Sequence, residues 1–100
     1  MDFAVEISAA AAQDLEQLVR FLAQRNPPAA ERFGHALLDR ILSLATLPER
    51  GARLAARPAY RRLIHPPWVI ILYQVDRRQK RVLVARLWDA RQDPDRLLLT

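Results

Sequence analysis

Apolar and polar residues alternate from Asp2 to Ile7, with Phe3, Val5 and Ile7 on one side and Asp2, Ala4 and Glu6 on the other. That period of two predicts a half-buried strand. The period then lengthens. Between Ala9 and Arg25, Ala11, Leu15, Leu18 and Leu22 recur on one stripe flanked by Ala12 and Val19. An amphipathic helix is expected there, with Ser8 as its N-cap and Asp14 and Glu16 near its positive end. Asn26-Pro27-Pro28 interrupts the pattern. Asn26 can cap a second helix whose first residue is Pro27, where a missing N–H costs nothing. Its stripe is Ala30, Phe33, Leu37, Ile41 and Leu44, widened by Leu38, Leu42 and Ala45, and it runs to about Thr46. So short a linker predicts an antiparallel helical hairpin.

From Leu47 to Pro58 no period holds, and Pro48, Gly51 and Pro58 punctuate what reads as a loop. Strand grammar follows. Ala59 to His65, Trp68 to Val75 and Arg81 to Trp88 read as three strands, joined by a Pro66-Pro67 turn and a polar turn from Asp76 to Lys80. Trp68 to Tyr73 is almost wholly β-branched or aromatic, the mark of a central strand covered on both faces. The expected fold is therefore α+β with the order β-α-α-β-β-β: one domain over residues 1–100, its N-terminal helical hairpin packed on an antiparallel-rich four-stranded sheet. Leu97 to Leu99 ends the chain with apolar residues that either dock on the sheet or wait for a partner to cover them.

Composition narrows the chemistry. Half the residues are apolar (51%) and glycine is scarce, so the chain can build a core. With no cysteine, disulfides, thiolate chemistry and Cys-based zinc sites are excluded, and no cofactor or metal is expected. The longest apolar run has strand length, far short of the about 18 residues of a membrane span, and a soluble cytoplasmic protein is expected. Charge is uneven: residues up to Pro48 carry −2 and the rest +7, with Lys80 the one basic residue that is not arginine. Such a surface favours nucleic acid or an acidic protein segment as partner, although solvated arginines alone produce the same composition.

Local signatures sit on this frame in order. They are the opening strand with Ala10, Asp14 and Leu15; Asn26-Pro27 before Ala29-Ala30; Leu44 through Leu47-Pro48 to Gly51; Tyr60-Arg61 followed by Ile70 to Val75; and Val82 to Leu87 with Asp89, Ala90, Arg91 and Asp93. Together they resemble the RelE/ParE superfamily of toxins across essentially the whole chain. The resemblance implies a cytoplasmic toxin neutralised by a cognate antitoxin in a hetero-oligomer. RelE-like members are ribosome-dependent endoribonucleases that cut mRNA. ParE-like members poison DNA gyrase.

RNA cleavage by a 2′-hydroxyl needs a base, an acid and cations around the phosphorus. Arg61, Arg62, Arg86 and Arg91 supply cations and are expected to converge on one concave face. Proton-transfer groups are scarce. His35 reads as a helix-surface residue and His65 as a strand end; Tyr60 and Tyr73 read as packing residues. RelE-like ribonucleases tend to carry an arginine in the central strand and a His or Tyr at the end of the last. Here Ile70 and its neighbours occupy the former, and Trp88-Asp89 the latter. These departures favour the ParE-like branch, with DNA gyrase as target; the ribosome and its mRNA are the alternative, and a plain nucleic-acid-binding domain a third reading. No catalytic residue is assigned. Candidates for target or RNA contact are Arg61, Arg62, Arg86, Trp88, Asp89 and Arg91. Trp88 reads equally as a stacking platform and as a cover for the core. Arg77, Arg78, Lys80 and Arg81 read as a solvated turn.

Overall fold

The computed structural model describes residues 2–91. Strand β1 (Ala4–Ile7) leads into helix α1 (Ala9–Ala23). Ser8 is the junction: its backbone is extended and its hydroxyl accepts the Ala11 N–H at 3.0 Å. Helix α1 ends two residues before the expected Arg25. The residue before a proline is pushed out of helical space, and Asn26 is extended, with Oδ1 accepting from Ala29 N at 3.1 Å to start α2 (Pro27–Leu42). Helix α2 also stops short of Thr46, tightening into a 3-10 turn over Ser43–Ala45.

The sheet has five strands where four were expected. After β2 (Ala52–Arg53) come β3 (Arg61–His65), β4 (Val69–Asp76) and β5 (Arg81–Asp89), in the spatial order β1-β5-β4-β3-β2. Strand β1 lies parallel to β5 and every other pairing is antiparallel. The central strand is β4, where the sequence placed it. The additional strand, β2, falls within the expected loop, and two residues are too few to display a period. What holds it is Gly51, which is buried and donates its N–H to the Tyr73 hydroxyl at 2.9 Å. A Cβ at Gly51 would stand 2.5 Å from the Arg62 carbonyl oxygen and 2.6 Å from the Tyr73 hydroxyl, so glycine is the residue that fits.

Both helices cover one face of the sheet. Leu37, Ile41 and Leu44 from the second helix and the turn meet Leu63, Val69, Ile71, Tyr73, Val82, Val84 and Leu87 from the sheet, with Ala11 from α1. Each fully buried Leu or Ile there contributes about 1.5–3 kcal/mol. Strand alternation turns Ile64, Ile70, Leu72, Leu83 and Trp88 to the opposite face, and none of them belongs to that cluster. A bulge between Leu72 and Tyr73 leaves Ala85 without an opposite residue, so Arg86 and Trp88 keep the outer face. The expectation about Leu97 to Leu99 lies outside the described residues.

Candidate target-binding site

Strand β1 pairs only with Arg81 to Val84 of β5. Helix α1 completes the remaining edge. Ser8 N donates to the Val84 carbonyl at 3.0 Å and its hydroxyl to the Ala85 carbonyl at 2.8 Å. One turn further on, Asp14 Oδ2 accepts the Leu87 N–H at 3.0 Å. The same carboxylate receives Arg86 in a bidentate pair, Nε at 2.7 Å and Nη2 at 3.0 Å. This bond stabilises the charged guanidinium and raises the Arg86 pKa further. Asp14 is thus the hub where helix meets strand. Sequence reading saw it as a favourable charge near a helix start, because nothing local links it to a strand 72 residues later.

At the end of β5 a second pair forms. Asp89 accepts the Arg91 N–H at 2.9 Å, with Nε at 3.0 Å and Nη2 at 2.9 Å. Those bonds hold the Asp89 carboxyl below the usual carboxylate range. The Arg91 guanidinium also lies 4.0 Å from the centroid of the Trp68 ring, which is itself stacked with Phe33 at 5.5 Å. Between α1 and this strand end runs a groove of about 330 Å³, bordered by Asp14, Phe21, Arg86, Trp88, Asp89 and Arg91. Phe21, 49% exposed, offers an apolar wall that sequence reading did not single out, since it lies beside the core stripe of its helix.

Four of the six candidates therefore meet, and two do not. Arg61 and Arg62 are adjacent in a strand and so must face opposite ways. Arg61 turns toward the Gly51 loop, donating to the Gly51 carbonyl at 2.8 Å and pairing with Glu49 at 3.7 Å. It braces the loop. Glu49 also pairs with Arg77, and that hydrogen bond lowers the glutamate pKa. Arg62 stands exposed on the outer face, opposite Leu72. The expected convergence of four arginines is thus replaced by Arg86 and Arg91 in one groove, with Arg61 and Arg62 on the two faces of β3.

The histidines stand apart from this groove's border. His35 is exposed on α2. His65 packs edge-on against Phe33, ring centroids 6.0 Å apart, and burial together with the charge of Arg40 depresses its pKa, favouring neutral imidazole. The Tyr73 hydroxyl serves Gly51, and burial raises its pKa. Among the described residues no three His, Asp or Glu side chains are grouped to hold a metal, and no helix is long and apolar enough to cross a membrane. What the groove offers is paired arginine, aromatic surface and shape.

Solved structures share this fold. The chromosomal ParDE toxin–antitoxin system of P. aeruginosa superposes with a TM-score of 0.75 at 19% identity, covering 87% of this chain and 95% of that one. The RelBE2 toxin–antitoxin complex of Mycobacterium tuberculosis gives 0.70 at 21% identity, covering 89% and 99%. A mutant of the E. coli toxin RelE in the free state gives 0.62 at 16% identity, covering 90% and 85%. No curated protein matches the sequence. The model for the ParE toxin of the type II toxin–antitoxin system parDE matches residues 5–94. By a match running through nearly its whole length, the chain belongs to the ParE toxin family of type II toxin–antitoxin systems.

Proposed function

We propose that this toxin does its harm by binding, with DNA gyrase as the target, and that a cognate antitoxin occupies it in a hetero-oligomer until release. One observation carries the reading: the ionisable groups bordering the groove at the end of β5 are engaged with one another. Asp14 is held by Arg86, and Asp89 by Arg91. A carboxylate held by a guanidinium stays ionised at neutral pH, and a guanidinium never releases its proton there. Neither is suited to exchanging a proton with a ribose hydroxyl. Binding, by contrast, is well served by Phe21, Trp88 and two guanidinium groups.

The test is direct. Purified toxin added to gyrase, ATP and relaxed plasmid should suppress supercoiling and leave cleaved DNA trapped on the enzyme. Trp88→Ala and Arg91→Ala should weaken both effects. Full supercoiling with no cleaved complex at toxin excess would overturn the proposal. The ribosomal alternative predicts a cut message in a toeprint assay.

A further inference from the structure

The outer face of the sheet carries an uneven pattern of exposure. Ile64 and Leu83, at its periphery, are 49% and 39% exposed. At its centre Leu72 is 1% exposed and Trp88 9%, although both point away from the helices and lie outside the core cluster. The Trp88 indole Nε1 is buried without a hydrogen-bond partner. Shielding is therefore greatest over β4 and β5, beside the point where the chain leaves β5. Flanking side chains do not account for this, since Arg62 is exposed.

We infer that the chain's own C-terminal segment, residues 92–100, covers this face, with Leu97 to Leu99 seated on Ile70, Leu72 and Trp88. Length permits it. Leu97 stands six residues beyond Arg91, a reach of up to about 20 Å. Crossing from β5 to β4 needs only about 4.8 Å. Charge favours it, since Asp93 and Asp95 precede the leucines while Arg62 stands exposed on the same face. The apolar triplet supplies the remaining match: three leucines at a chain end, and an apolar strip on the one sheet face that no helix covers. A partner that uses the Trp88 side of the sheet then has to displace this segment first. The inference concerns the fold and stands apart from the choice of gyrase as target.

Trp88 reports on the cover. In the full chain carrying Trp68→Phe it is the one tryptophan left, as the sequence has two. Replacing Leu97, Leu98 and Leu99 with serine in that background should red-shift its emission and raise acrylamide quenching severalfold, with far-UV circular dichroism unchanged. Unchanged emission and quenching would overturn the inference. So would shielding that is lost on dilution as a dimer dissociates, which would make a second copy the cover. Should the serine variant lose its circular dichroism, the native chain decides. With leucine methyl groups labelled, cross-relaxation between the Trp88 indole and the methyls of Leu97 to Leu99 is expected, and its absence in the folded protein would contradict the docking.

Discussion

Asp14 shows how much one side chain can hold in a small fold. Its carboxylate accepts from the Leu87 backbone and twice from Arg86, so truncation strands both a strand-edge N–H and a guanidinium. Asp14→Ala should cost about 2–4 kcal/mol in urea unfolding. Glu16→Ala, which removes only an exposed pair with Arg20 one helical turn away, should stay within about 0.5 kcal/mol. Equal losses for the two would contradict the account. Tyr73→Phe keeps the buried ring and deletes the acceptor of the Gly51 N–H. A loss of about 1–2 kcal/mol is expected. His65 carries a pH signature. Its folded pKa lies below the ordinary value of about 6.5, because of burial first and the neighbouring Arg40 charge second. The unfolded chain therefore binds this proton more tightly. The neutral ring's contribution to stability is complete above the ordinary value and is lost as pH falls through the folded one. Urea midpoints should drop between pH 7 and pH 5, and less steeply in His65→Gln. An identical slope in the variant would rule His65 out as a source.

Among the elements, those with a long period were legible and those set by distant partners were not. The stripe from Ala30 to Leu44 and the apolar run at Trp68 to Tyr73 could be read directly, because burial of one face imposes a spacing that survives in the sequence. Leu37, fully buried at the centre of the helical stripe, shows what that spacing encodes. Leu37→Ala should destabilise by about 2–5 kcal/mol, measurable by thermal or urea unfolding. Strand β2 was hidden because it depends on Gly51 reaching Tyr73, a contact across 22 residues. Half the site was hidden for a related reason. Trp88, Asp89 and Arg91 are neighbours in sequence and were picked out together. Asp14 and Phe21 join them only after α1 has folded along the β5 edge. The expectation that Arg61 and Arg62 share a face with Arg86 and Arg91 failed on strand alternation alone.

At the scale of the whole molecule, the arrangement divides labour between the two ends of β5. Its first half is closed by β1 and the helical core beneath it, and serves the fold. Its second half is closed by side chains of α1, which leaves a groove of arginine, carboxylate and aromatic groups open beside the strand end. In a ParE-family toxin, a groove of this kind suits recognition of another protein better than proton transfer to a nucleic acid. The most direct measurement sets the two activities side by side: one preparation of the purified toxin, added in excess to a gyrase supercoiling reaction and to a ribosome translating a defined message. The account predicts that supercoiling falls and cleaved DNA accumulates while the message stays intact. A cut message with supercoiling untouched would contradict it.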